Sequence, residues 1–173
     1  MNNVIESMIS RRSIRAFKPD MPEKELVDEV ILAGTFAASG RNFQAPIIIN
    51  LTDPKLQAEI RKLNAGIMGN PGIDPFYGAP VILIVLADRS RPTYVYDGSL
   101  VIGNMMLAAH SLGLGSCWIH RAKEEFETPW GKSLLEKLGI KGDYEGIGHC
   151  ALGYPAVALP PPLKRKSDYI YEI

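Results

Sequence analysis

Cysteine and histidine are scarce in this 173-residue chain, with two of the first and three of the second. Cys117 and Cys150 stand too far apart to make a metal-binding pair and form no disulfide framework, so both read as core thiols. His110, His120 and His149 are scattered, with no i, i+4 pair and no acid at a fixed offset, which removes the usual signature of a zinc site. No G-x-S-x-G occurs, so the elbow of a serine hydrolase is missing as well. No run approaches the roughly 20 apolar residues that span a bilayer. The opening MNNVIESMISRR places its charges after a short apolar stretch, the reverse of a secretory signal, so the expectation is a cytoplasmic protein with no membrane partner. Net charge is absent too: 19 cationic residues balance 19 anionic ones at a pI near 6.8. A nucleic-acid binder would show a broad basic face with interleaved aromatics, which this composition does not supply.

What is present suits one globular domain, residues 1–173. A compact chain of this length buries roughly 70% of its unfolded surface, and 46% hydrophobic residues provide the core. No internal repeat is visible. Val4, Ile5, Met8 and Ile9 recur at helical spacing over Asn3 to Ser10. A second helix is expected from Pro22, with Glu23 and Glu25 in its first turn, to about Ala38. Pro46 to Leu51 is short, β-branched and flanked by turn formers, and reads as a buried strand. Asp53-Pro54 forms the N-cap and first residue of a third helix. The Gly/Pro/Asn-rich segment from Ala65 to Gly78 reads as a mobile surface loop and a candidate lid.

Val81 to Leu86 is the strongest strand. The helix after it, capped by Asp97 or Ser99, is apolar around nearly its whole circumference, as a helix buried on several sides is. Gly113 and Gly115 end it. Ser116 to Ile119 reads as a strand, Thr128-Pro129 opens another helix closed at Gly139, and Tyr144 to Leu152 reads as a strand. GYPAVALPPPLKRK cannot be helical and is expected to be an extended arm, followed by an alternating strand over Asp168 to Ile173. An arm ending in a strand often completes a partner's sheet, which points to a dimer.

The string GIGHCA, residues 146–151, fits a dinucleotide pattern by letters. The motif needs a helix to begin there, and Gly153 and Pro155 forbid one. Anion chemistry rests instead on SRRSIRAFKPD, which sets Arg11, Arg12, Arg15 and Lys18 close together in a neutral chain. Ser13 supplies a hydroxyl beside planar bidentate donors, a composition suited to phosphate. A second cationic cluster, Lys164-Arg165-Lys166, follows the stiff proline arm. Two basic clusters from opposite ends of the chain suggest a compact phosphorylated ligand.

These strings, with Ser39-Gly40-Arg41-Asn42-Phe43-Gln44, Phe76-Tyr77-Gly78-Ala79-Pro80, Gly113-Leu114-Gly115-Ser116-Cys117-Trp118 and Ala151-Leu152-Gly153-Tyr154-Pro155, occur in an order that resembles the flavin-dependent nitroreductase family in its short form. The resemblance covers nearly the whole chain. It implies an α+β sandwich, a central mainly antiparallel sheet flanked by helices, in a homodimer that exchanges C-terminal arms and binds FMN at two interfacial sites. It implies a ping-pong oxidoreductase in which NAD(P)H gives electrons and a nitroaromatic, quinone or related small acceptor takes them. Arg11, Arg12 and Ser13 would hold the FMN phosphate and ribityl chain, joined by Arg165 and Lys164 from the tail. Arg15 would lie at the pyrimidine edge as electrostatic support, with no side chain acting as acid or nucleophile. Ala38, Ser39, Gly40 and Asn42 would approach the ring from the other subunit, and Cys117, Trp118 and Ile119 would pass its other side. Three departures are visible: Ala38 stands where the family often has proline, Ala45 separates Gln44 from Pro46, and the tail reads Lys164-Arg165-Lys166 instead of an alternating K-x-R, which leaves open which lysine meets the phosphate. A deiodinase-like enzyme of narrow substrate range and a non-catalytic flavin-storage module are the competing expectations.

Overall fold

The computed structural model describes residues 2–173. Four strands form one sheet: β1 (Pro46–Leu51), β2 (Val81–Asp88), β3 (Gly115–Ile119) and β4 (Tyr144–Gly153), in the order β1-β2-β4-β3 with every neighbour antiparallel. Six helices accompany it: α1 (Asn3–Ser10), α2 (Lys24–Thr35), α3 (Pro54–Ile67), α4 (Tyr94–Ser111), α5 (Ala122–Glu127) and α6 (Pro129–Lys137). The result is the α+β sandwich that the family resemblance implies.

β2 explains the layering. Its residues alternate between faces, and every one from Val81 to Ala87 is fully buried. Ile82, Ile84 and Leu86 join Ile60 of α3, Phe126 of α5 and Leu134 of α6 in one core. Val81, Leu83 and Val85 join Val27 and Val30 of α2 and Val101, Ile102 and Met105 of α4 in the other. A sheet covered on both sides accounts for the unbroken apolar run of β2. Each such side chain contributes roughly 1.5–3 kcal/mol through burial. Gly98 lets α4 sit close on β4, because a Cβ there would lie 2.6 Å from Ile147.

Several expectations need adjustment. Pro22 precedes the N-cap Glu23 of α2, and that helix ends at Thr35 instead of continuing to Ala38. β1 is an edge strand and only partly buried, since Ile47 and Ile48 keep some exposure. Thr93, not Asp97 or Ser99, is the N-cap of α4. The helical turn from Pro54 extends through Ala65 to Ile67, and the rest of the Ala65–Gly78 segment is anchored: Phe76 is fully buried and Asp74 accepts from the Phe76 and Gly78 N–H groups. Asp168–Ile173 forms no strand in the described residues, because an alternating segment needs a sheet edge to pair with and this arm, exposed from residue 156 onward, meets none in its own chain.

Candidate functional site

The basic stretch is placed by strand-like contacts across one end of the sheet. Ser13 bridges Ser116 of β3 in parallel, the Ile14 N–H donates to the Ser116 carbonyl at 3.0 Å, and the Lys18 N–H donates to the Tyr154 carbonyl beyond β4. Ile14 and Phe17 are buried as anchors, which turns Arg15 and Lys18 outward. The same contacts hold Arg11, Ser13 and Arg15 near Cys117. Burial pushes the Cys117 thiol up, against the opposing pull of Arg15, a hydrogen bond with Ser13 and the Arg11 charge. The phosphate-type residues expected from sequence, with Arg15 and Cys117, are thus brought to one place.

Arg12 spends one terminal nitrogen on the carbonyls of Ile9, in the last turn of α1, and Arg11, its C-cap, at 2.7 Å each. Arg12 Nε and Arg11 Nη1 are buried and without partners. An unpartnered buried guanidinium nitrogen is expensive, and an anion is the kind of group that satisfies one. Ser10, at the end of α1, contacts His110 in the last turn of α4, with Oγ and Nε2 2.8 Å apart. The sequence carries no local signal for His110, because its partner Ser10 lies 100 residues away.

Cys117 and Ile119 lie in the core shared with α3, α5 and α6, while Trp118 packs on the α4 side. Cys150 belongs to the α4 side as well, so the two thiols face opposite sides of the sheet and make no bridge. Both are free, and the described residues contain no cluster of metal-ligating side chains.

Ala38, Ser39, Gly40 and Asn42 form a second group at the other end of α4. Asp97 pins it: one carboxylate oxygen accepts from the Gly40 N–H at 3.0 Å and the other from the Thr93 hydroxyl at 2.9 Å. Asp97 and His110 are about 20 Å apart along the helix at 1.5 Å per residue. Ala38 and Ser39 line a cavity of about 430 Å³ with Ile31, Gln44, Ile47 and Val101. Arg41, Asn42 and Gln44 all have left-handed backbones, at φ 51°, 56° and 51°. Such concentrated strain is a feature of ligand-contacting loops. Arg41 and Phe43 border a further cavity, with Arg91 over the Phe43 ring at 4.4 Å. The tail is not gathered in: Lys164 is exposed, and the exposed Arg165 bonds the Leu163 carbonyl beside it.

The sequence pattern of the nitroreductase family matches residues 8–154. The chain belongs to the nitroreductase family. Among solved structures similar to this nitroreductase-family chain, one is a nitroreductase with bound FMN from Bacteroides fragilis, at 26% identity and a TM-score of 0.91, covering all of both chains. Another is a nitroreductase with bound FMN from Desulfitobacterium hafniense, at 26% identity and a TM-score of 0.88, covering 100% of this chain and 99% of that one. Among curated relatives, the FMN reductase [NAD(P)H] of Bacillus subtilis is 31% identical over 178 residues, spanning 90% of this chain and 67% of the relative. The α+β fold of these neighbours agrees with the layers described above. No helix among the described residues is long and apolar enough to cross a membrane.

Proposed function

We propose that this nitroreductase-family chain is an FMN-dependent oxidoreductase, taking electrons from NAD(P)H and passing them to small nitroaromatic, quinone or related acceptors in alternate half-reactions. The observation that carries the reading is the pair of buried, unpartnered guanidinium atoms, Arg11 Nη1 and Arg12 Nε, next to Ser13. That donor set suits a phosphate monoester in charge and hydrogen-bonding capacity. FMN, when bound, supplies the two-electron chemistry through its ring.

The chain's own residues bind, orient and bias. Arg11, Arg12 and Ser13 would hold the phosphate end. Arg15, exposed on the same stretch, would place a fixed cation where the ring gains negative charge on reduction, favouring the reduced form. Cys117, Trp118 and Ile119 would lie alongside. Ala38, Ser39, Gly40 and Asn42, tied by Asp97 to the far end of α4, would approach a ring held by the second protomer, and Lys164 and Arg165 would reach a phosphate across the interface.

A homodimer with exchanged arms is part of the proposal. Its support is the apolar surface left open: Val4, Met8 and Ile9 of α1 are 59%, 58% and 57% exposed, and Phe36 after α2 is 80% exposed. Exposed apolar area of this extent on a soluble chain is a mark of an interface.

The test combines flavin content with anaerobic reduction. Arg11→Ala should chiefly release FMN, whereas Arg15→Ala should retain it and slow its reduction by NADH or NADPH. The opposite pattern refutes this division of roles. A protein that binds FMN but is reduced by neither nicotinamide is a binding module instead.

A further inference from the structure

The contact between Ser10 and His110 fixes more than a helix packing. Ser10 Oγ donates its one hydrogen to the Glu6 carbonyl at 2.7 Å, so toward His110 it can only accept. The imidazole therefore carries its hydrogen on Nε2, and Nδ1 is the atom that gains or loses a proton. The charged groups acting on this ring are Arg11 and Arg12; Glu6, one turn back on α1, is exposed. The carbonyl end of α4 favours a cation at His110, but burial first, and then the two guanidiniums, outweigh it and hold the imidazole below its ordinary 6.5. The free site is thus a cationic pair with a neutral histidine beside it.

An anion changes that balance. We propose that His110 is a further member of the phosphate site, and that a phosphate monoester bound at Arg11 and Arg12 draws one solvent proton onto His110 Nδ1. The proposal rests on the FMN reading and deepens it: the flavin's phosphate is the group sensed. No other bond forms or breaks; the proton comes from water or buffer and leaves again when the ligand does. A phosphate among Arg11 and Arg12 offsets the two guanidiniums' share of that lowering, burial remaining, and adds an attraction of its own. His110 then contributes a third positive charge only when the phosphate is present. Riboflavin, which shares the ring and ribityl chain but lacks the phosphate, would leave it neutral.

Sign and size follow from linkage. The folded, ligand-free protein has the lower pKa and the phosphate-bound form the higher one, so binding tightens as pH falls from the bound value to the free one. A rise of one unit corresponds to a change of about tenfold in affinity across that window. The phosphate itself also takes up a proton near pH 6, so the measurement is a comparison between two proteins in which that contribution is equal. His110→Gln is the matched variant, because the amide retains an N–H at the Nε2 position for Ser10 and does not titrate.

FMN affinity should be measured from pH 5.5 to 8.5 by quenching of flavin fluorescence, for wild type and His110→Gln, with riboflavin in parallel. The wild-type to variant affinity ratio for FMN should grow about tenfold toward low pH, and the same ratio for riboflavin should stay flat. Proton NMR should show the imidazole that is lost in His110→Gln titrating at a higher pH with FMN than without it. Equal pH slopes for FMN in the two proteins, or an imidazole titration unmoved by FMN, overturns the proposal while leaving the flavin reading intact. Failure of wild type to bind FMN at any pH overturns both.

Discussion

Replacing Glu125 with alanine should be among the most damaging single changes in this protein. Glu125 of α5 and His149 of β4 are both fully buried, with Oε2 and Nε2 2.7 Å apart and off the line of a good hydrogen bond. Each is held by other elements. Asn64 of α3 bonds the second Glu125 oxygen and the His120 carbonyl and accepts from Arg121 at 2.9 Å, while His149 Nδ1 is 3.1 Å from the Ile119 carbonyl. Four elements thus meet through one polar cluster under the sheet, capped by the Phe76 ring edge-on to His149 at 5.2 Å. Removing one partner of this buried carboxyl–imidazole pair strands the other at a cost of about 3–5 kcal/mol. That is a large share of the roughly 5–15 kcal/mol that holds a domain folded. With a urea slope of about 2 kcal/mol/M, the midpoint should fall by about 1.5–2.5 M in Glu125→Ala. His149→Ala should lose a similar amount. The double variant Glu125→Leu/His149→Phe removes both polar groups and refills the space, so it should recover much of the loss. Urea titrations by circular dichroism, at one fixed protein concentration because subunit association contributes, decide it. A loss below about 1 kcal/mol in Glu125→Ala, or a double variant no more stable than either single one, refutes the reasoning.

Other predictions follow from single positions. Gly146→Ala places a Cβ 2.2 Å from the Ala122 carbonyl oxygen, a backbone atom with little room to yield, so a loss of about 1–3 kcal/mol is expected in thermal or urea unfolding. Asp97→Ala should free the loop around Gly40, raising amide exchange over residues 38–44 while the core amides stay protected; unchanged exchange there contradicts the role assigned to Asp97. Cys150, whose thiol burial pushes up to about 12, should resist alkylation at pH 8 in the folded protein and react only on unfolding, as read by mass spectrometry. Burial raises the Asp74 carboxyl, but Arg61 and the Phe76 and Gly78 N–H groups outweigh this and hold it below its ordinary 3.8. Its contribution is therefore present above about pH 4 and is lost as pH falls through the lower folded value, so wild type and Asp74→Asn should converge in stability in acid.

Much of this architecture was legible because local and global signals agree. The isoleucine run between Ala45 and Asn50, the Asp53-Pro54 start of α3 and the Thr128-Pro129 start of α6 each carry their own boundary, and the structure places β1, α3 and α6 there. The errors arose where a boundary depends on contacts remote in sequence. Asp97 looked like a cap but is committed to Gly40, so α4 begins at Tyr94. The six residues of α5 show too little periodicity to announce a helix, and the element starts from the left-handed Arg121, which side-chain patterning does not encode. The alternation of residues 168–173 states a capacity to pair, and the exposed arm that carries it meets neither edge strand, β1 or β3, of its own chain. For the site, the charge pattern of Arg11, Arg12, Ser13 and Arg15 was readable, because those residues are adjacent in sequence. His110 was not, since nothing local links it to Ser10.

The central claim is that Arg11, Arg12 and Ser13 hold the phosphate of FMN in an oxidoreductase. The most direct measurement is the visible spectrum of the purified protein, alone, after addition of FMN, and after anaerobic addition of NADH or NADPH, with Arg11→Ala beside it. The account predicts a stoichiometric flavin band in wild type that bleaches on addition of the nicotinamide, and a band largely lost in Arg11→Ala. A colourless wild-type protein that does not take up added FMN, or an Arg11→Ala variant that binds FMN as tightly as wild type, would contradict it.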